Sequence, residues 1–509
     1  MCKNNQMFHE KSPFSFSSIL RRDLERINVS SLFCKRGYPM NLSPSLRKKM
    51  ILFITVLAPF TATLDASIVH VALPVLSQSL HTESASVAWI SNIYTIVMAA
   101  SILFFGRLGD LRGQEKVFAG GMLLFAAGSL LCSLSGTFEE LLAARVPQAA
   151  GGSAALANSQ GIIVRTFPPS QRGRALGING AFVALGMAAG PSAGGWLLTY
   201  GSWPLIFLIN LPVCALVIPG ALLLFPPSPA RRGFMDLKGS CLFAASLIFF
   251  FYSLQSLQGT RNHAVLLWTF LLSLFLFFLF IRRQQKTADP LLPLSLFRNH
   301  TFSISIFCAF AAFSAIGCYT LVLPFYLENI RALSPAQSGL YLASYAAVLI
   351  VSSPFGGWLA DRWGAEKTTL LGLSLTGSGL LLLTALSLAS PLSMMIVSLS
   401  VMGLGTGLFQ PPNNALVMRS VSSGNYGITG SVNALMRYIG QAFGLCLSNF
   451  LLYGGMSIML GRSVSDLAPG QEEAFLFGMR LACTAAAFFC AAGAAMAFVR
   501  FRKKAGRAA

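Results

Sequence analysis

The chain has 509 residues, 54% of them hydrophobic and only 11% charged, with a formal net charge of +20. Soluble domains carry about a quarter of their residues as charges, so this composition excludes an ordinary soluble fold. The basic residues fall in alternate short segments between apolar runs, a membrane-topology signal that excludes a nucleic-acid partner.

Residues 1–49 form a basic segment without a sustained apolar core, unlike a secretory signal peptide. Within it, 1–39 fit no later pattern and Met40 offers a conventional start, so this stretch also reads as a start-site artefact. Fourteen apolar runs long enough to cross a ~30 Å hydrocarbon layer follow. They lie at 50–75, 87–106, 117–136, 138–164, 175–200, 203–225, 237–257, 264–281, 301–327, 337–360, 368–388, 391–418, 431–456 and 476–499. With the N-terminus inside, 31 of the 37 Lys and Arg fall in cytoplasmic segments and only Arg261, Arg331, Arg462 and Arg480 in external loops. Both termini are then cytoplasmic. The ten cysteines lie mostly within apolar runs and form no CxxC pair, so they read as small core residues and not as disulfides or metal ligands.

The first span contains Asp65, the one acid of 17 that lies well inside a helix. A charge at that depth costs roughly 2.5–3.5 kcal/mol on insertion scales, which marks it as a proton-coupling candidate. A buried structural ion pair is the competing reading, and Arg145 of the fourth span is the partner either way. His70 stands about 140° around the helix from Asp65, too far round for a direct hydrogen bond. It and Glu328, near the external end of the ninth span, are secondary titratable candidates.

After the second span comes "GRLGDLRGQEK" (106–116), which returns as "GWLADRWGAEK" (357–367) at an offset of 251. Gly106, Asp110, Arg112 and Gly113, with Asp361, Arg362 and Gly364, read as two tight cytoplasmic gating turns. Their carboxylates are placed to cap a helix or pair with a nearby Arg. The repeat divides the chain into an N-terminal six-helix half (50–225), an extra two-helix insert with cytoplasmic flanks (226–299), a C-terminal six-helix half (300–499) and a basic tail (500–509). The expectation is an all-α integral membrane protein with a 6 + 2 + 6 arrangement of helices and a substrate site between the halves. The offset puts Ile316 opposite Asp65, so the deep acid belongs to one half alone.

In the fifth span "GMAAGPSAGG" (186–195) sets Gly186, Gly190 and Gly194 on one helix face, with Gly195 beside them and Pro191 between. Small-residue faces let helices approach closely in lipid, and neighbouring helices accommodate the bend at proline.

These motifs together resemble the major facilitator superfamily. The two Gly–Asp–Gly turns are similar to its signature loops. "LDASIVHVALP" (64–74), "RVPQAAGG" (145–152, with Gln148), "GMAAGPSAGG", "FLINLPV" (207–213) and "RYIGQAFG" (437–444) resemble motifs of its fourteen-span drug:proton antiporters, the EmrB/QacA type. The resemblance covers about residues 50–500, in order. It implies a major facilitator fold and an antiporter motif at Gly186, Gly190, Pro191, Gly194 and Gly195 that forms a bent seam against the opposite half, with 337–360 and its small residues Gly339, Ala343, Ala346 and Ala347 as the partner. His70 in place of Asn, Ala149 in place of Gly and the added Pro147 depart from the family pattern.

The functional expectation is a cell (inner) membrane antiporter that exports small hydrophobic or cationic drugs and toxic compounds in exchange for protons. It would act as a monomer without a cofactor, with the lipid bilayer and small molecules as partners, and a membrane-fusion accessory protein is compatible with it. No GxxxxGK[ST] loop is present to drive export with ATP. A dedicated exporter of one metabolite or antibiotic, proton-coupled uptake and a non-transporting membrane sensor or scaffold are the alternatives.

Overall fold

The computed structural model describes residues 43–227, 233–257, 263–287, 289–421, 426–468 and 470–508. Residues 1–42, most of the expected N-terminal segment, lie outside these, as do 228–232 and Ala288 in the flanks of the expected insert. Residues 47–509 form one compact unit; of the other, 1–46, only 43–46 are described.

Among the described residues no strand occurs. The first half comprises α1 (Pro44–Ser79), α2 (Ser84–Arg112), α3 (Gln114–Leu134), α4 (Phe138–Thr166), α5 (Pro169–Tyr200), and a short α6 (Leu205–Leu208) that runs through Ile209 into α7 (Asn210–Leu224). The insert is the pair α8 (Leu237–Gln255) and α9 (His263–Lys286). The second half comprises α10 (His300–Phe325), extended by a π-turn at Tyr326–Ile330, α11 (Pro335–Trp363), α12 (Ala365–Thr384), α13 (Leu392–Arg419), α14 (Tyr426–Leu460) and α15 (Glu472–Ala508). Pro147 lies inside an unbroken α4.

Among the described residues twelve helices, counting α6 and α7 as one, are long and apolar enough to cross a membrane. The expected fourteen are not reached on that measure, because α4 and α12 fall outside it. The reason is compositional. Helix α4 carries Glu139, Glu140, Arg145 and Arg165 among many small and polar residues, and α12 opens on Glu366 and Lys367 and continues through Thr368, Thr369 and Thr376.

Close packing inside each half depends on glycine. On α3, a methyl group at Gly128 would overlap the backbone of Gln148 on α4, and one at Gly121 would stand 2.8 Å from the Gly151 carbonyl oxygen. On α12, Gly372 stands in the same way 2.7 Å from the Gly405 carbonyl of α13. Such contacts bring backbones together where lipid offers no hydrophobic drive for association.

The insert is clasped at one end. Asp236 caps α8 by accepting from the Gly239 N–H at 2.9 Å, and it accepts from Arg283 Nε at 2.6 Å and Gln284 Nε2 at 3.0 Å on α9. A buried hydrogen bond from Asn92 Nδ2 to Gln255 Oε1, at 2.8 Å, ties α8 to α2. The other face of α9 exposes Trp268, Leu271, Phe275 and Phe278, as a lipid-facing helix does.

Candidate functional site

The two Gly–Asp–Gly turns lie at the same end of the bundle. Gly113 (φ +104°) and Gly364 (φ +94°) each hold a backbone conformation that side chains disfavour, which turns α2 into α3 and α11 into α12 within one residue. The expected capping role of the aspartates is corrected here. Neither α3 nor α12 receives a side-chain cap, and Asp110 instead accepts from Gln114 Nε2 at 3.2 Å. The ion pair at this end was not foreseen: Arg107 Nη2 meets Asp289, in the segment after the insert, at 3.1 Å. Arg112 ends α2, and Asp361 is exposed while Arg362 stacks over the Trp358 ring, 4.6 Å from its centre.

The glycine stripe of α5 faces a different partner from the one the family resemblance implied. A methyl group at Gly186 would meet Thr63 and the Phe60 carbonyl, one at Gly190 would meet Ser67, and one at Gly194 would stand 3.1 Å from Ile68. All four residues belong to α1, in the same half. The contact with the opposite half is made by the neighbouring face. Gly195 lies against the backbone of Pro335 and Ala336, and Gly339 of α11 lies against the Pro191 carbonyl. Periodicity identifies residues that share a face, but it does not say which helix lies opposite.

The polar centre of the first half is built on α1, α3, α4 and α7. Asp65 and Arg145 are both fully buried and pair at 2.6 Å between Oδ2 and Nη1. Asp65 Oδ1 also accepts from Gln148 Nε2 at 2.8 Å and from Asn210 Nδ2 at 2.7 Å. Arg145 donates to Gln148 Oε1 at 2.6 Å and to the Ile90 carbonyl at 3.3 Å, while its guanidinium lies over Tyr94, 4.2 Å from the ring centre. Ser129 Oγ accepts from Gln148 at 2.9 Å. With one buried charge compensating the other and several hydrogen bonds around them, the desolvation of each ion is largely offset. Two atoms are left over: Arg145 Nη2 and Asn210 Oδ1 are buried without a hydrogen-bond partner. Ser129 and Asn210 were missed as members, because a single Ser or Asn in an apolar run is unremarkable until its neighbours are known.

A cavity lies between the two halves, next to this network but not continuous with it. The empty space in it and at its mouth, open solvent included, comes to about 820 Å³. Helix α1 contributes Thr63, Ser67 and His70, and α5 contributes Met187 and Pro191. From the second half come Phe313, Tyr319 and Thr320 of α10, Tyr345 of α11, and Arg437, Tyr438 and Gln441 of α14. His70 Nε2 stands 3.4 Å from Gln441 Nε2, which joins the halves across the space. Glu328 does not reach the cavity; it sits in the π-turn after α10, with its Oε1 buried and unpartnered. Among the described residues no cluster of three or more His, Cys, Asp or Glu stands close enough to hold a metal ion.

Comparison with known proteins agrees with this architecture. The family described as the Major Facilitator Superfamily matches residues 55–445. The chain is 31% identical over 401 residues to the riboflavin transporter RibZ of Clostridioides difficile, covering 78% of this chain and 87% of the relative. It is 30% identical over 430 residues to the multidrug resistance protein Stp of Mycobacterium tuberculosis, covering 82% of this chain and 79% of the relative. Among solved structures, a bacterial homologue of the human lysosomal transporter Spinster superposes with a TM-score of 0.61 at 17% identity, covering 90% of this chain and 97% of that one. This multi-pass helical membrane protein belongs to the Major Facilitator Superfamily.

Proposed function

We propose that this protein is a fourteen-span exporter of small hydrophobic compounds, driven by protons through Asp65 and Arg145, with both termini in the cytoplasm. The observation that carries the reading is the position of the Asp65–Arg145 pair, buried in one half on a helix that also lines the cavity between the halves. Helix α1 turns Asp65 inward to Arg145, Gln148 and Asn210, and turns Ser67 and His70 toward the cavity. It rests on the glycine stripe of α5. A proton on Asp65 removes the charge that holds Arg145, so the network must rearrange around α1. Because α1 lies against a smooth seam, that rearrangement reaches the cavity wall as movement.

Two points support the remaining details. Counting α4 and α12 as spans keeps the two Gly turns on one side of the membrane and leaves the basic excess on that same side. The name of the relative Stp, a multidrug resistance protein, supports export over uptake. The cationic part of the expected cargo is not carried forward, since no carboxylate lines the cavity.

The test is Asp65→Asn in energised inverted vesicles. The variant leaves Arg145 buried without its counter-ion and should accumulate below the wild-type level; normalised to the protein present, it should bind substrate yet lose efflux driven by a pH gradient and substrate-induced proton release. Asp65→Glu should keep part of both activities. If the Asn variant still pumps against a gradient with proton exchange, Asp65 is structural, and Glu328 and His70 become the groups to test.

A further inference from the structure

The cavity between the halves has an unbalanced charge. Arg437 lines it from α14, and the guanidinium lies over the Phe313 ring, 5.0 Å from the centre. Its Nε is buried without a hydrogen-bond partner, and among the described residues no carboxylate pairs with it. Arginine does not give up its proton in proteins, so this positive charge is permanent. Elsewhere in the membrane region the chain does supply a counter-ion: Asp65 satisfies Arg145. At Arg437 it supplies none, and no Asp or Glu is among the residues lining the cavity.

The groups around Arg437 are themselves suited to a ligand. Gln441 lies one turn further along the same face of α14 and brings its amide nitrogen to His70 across the cavity. The His70 Nδ1 is buried and has no partner. Arg437, Gln441 and His70 therefore bring nitrogen atoms to the space. Tyr319 and Tyr345 also line it, with ring centres 5.1 Å apart. A guanidinium and an amide donor in one cavity with an aromatic pair fit a planar compound with a carboxylate or phenolate at one edge.

We infer that the cargo of this transporter is an amphiphilic aromatic anion, whose acidic group pairs with Arg437 and whose rings lie against Tyr319 and Tyr345. The cargo is the counter-ion that the fold omits. This rests on the exporter reading above only in calling the ligand a cargo; the anion site itself stands on the cavity.

The experiment compares two dyes on one xanthene frame, fluorescein as the anion and rhodamine 123 as the cation. Binding to the full-length protein in nanodiscs is followed by fluorescence anisotropy, and dye movement is followed in proteoliposomes. The wild type should bind fluorescein at least tenfold more tightly than rhodamine 123. Arg437→Gln should weaken fluorescein at least tenfold without weakening rhodamine 123, and Arg437→Lys should recover part of the loss. Should Arg437→Gln fail to fold, Gln441→Leu serves instead, with fluorescein weakened about threefold and rhodamine 123 unchanged. A wild type that prefers rhodamine 123 or binds neither dye overturns the inference. So does an Arg437→Gln variant, or in its place a Gln441→Leu variant, that binds fluorescein as the wild type does. If fluorescein binds through Arg437 but neither dye crosses the membrane, the anion site stands and the exporter reading fails. If rhodamine 123 crosses and fluorescein does not bind, the exporter reading stands and this inference fails.

Discussion

Gly121 and Gly128 on α3 approach α4 as Gly372 and Gly379 on α12 approach α13, and α5 packs on α1 through Gly186 and Gly190 as α14 packs on α10 through Gly440 and Gly444. The contacts fix the correspondence between the halves. Residues of α1 to α3 return 251 positions later, as Gly121 does at Gly372, and residues of α4 return 254 positions later, as Gly151 does at Gly405. The longer connection between α12 and α13 absorbs the shift. Carrying the polar centre across by these offsets gives Ile316 for Asp65, Leu380 for Ser129, Leu399 for Arg145 and Met402 for Gln148. All four are buried in one apolar cluster. The second half thus builds the same backbone with four apolar residues in place of the polar centre. The lesson is that the fold does not require the Asp65–Arg145 network, and that this ion pair is kept in one half only.

The strongest way to break this comparison is to cut the network in one place. Arg145→Leu, the residue of the other half, leaves Asp65 buried without its counter-ion, at a cost of about 3–5 kcal/mol. That is a large share of the total stability of a folded domain. The variant should accumulate poorly and melt well below the wild type in detergent. Complete transplantation should behave differently. The combined change of Asp65→Ile, Ser129→Leu, Arg145→Leu and Gln148→Met, with Asn210→Leu to remove the amide left without a partner, replaces a buried ionic cluster by apolar residues, which is often neutral or stabilising. It should recover most of the lost melting temperature and show no proton-coupled transport. A combined variant as unstable as Arg145→Leu would mean that the two cores are not interchangeable.

The next effect is smaller and should be symmetric. Leucine at Gly190 would push α5 from Ser67 and Ile68 on α1, and leucine at Gly444 would push α14 from Ser314 on α10. Overpacking of this kind costs about 1–3 kcal/mol. Both variants should insert and both should lose transport, because each seam borders a helix that lines the cavity. Normal efflux by Gly190→Leu with failure of Gly444→Leu, or the reverse, would show that only one half moves against its first helix.

Much of the site could be read from the amino acids because charge is rare in an apolar run. Asp65 and Arg145 stand out on that ground alone, and their pairing required only that two buried opposite charges find each other. Residues that are polar but uncharged carry no such signal, which hid Ser129 and Asn210. The glycine stripe showed a face without its partner, so Gly186, Gly190 and Gly194 were set against the opposite half when α1 lies there. The repeat was visible at Gly113 and Gly364, where a positive φ constrains the residue type. It was less visible at α4 and α13, where a changed offset and apolar replacements conceal it. On the hydropathy measure the count of spans fell short of the expected fourteen, since α4, the helix that holds Arg145, is also among the least apolar.

The insert belongs to neither half, so a change there should touch stability and leave transport alone; this is the smallest effect. Asp236 precedes α8 and joins it to α9. Burial pulls its carboxyl upward, but hydrogen bonds from the Gly239 N–H, Arg283 and Gln284 outweigh that and hold it below its ordinary value of 3.8. The sign follows from linkage. A carboxyl with a depressed value in the folded state contributes stability that is full above the ordinary value and lost as pH falls through the folded one. Arg283 is partly exposed, so solvent weakens the pair and the contribution is about 1 kcal/mol, at the low end for a charged hydrogen bond. Asp236→Asn should therefore lower the melting temperature by a few degrees at neutral pH. The gap to the wild type should close as the pH is taken below about 4. Dye efflux at neutral pH should match the wild type, because neither α8 nor α9 lines the cavity. A variant that keeps its melting temperature but loses efflux would place the clasp in the transport cycle, and the insert would then have to be counted with the moving halves.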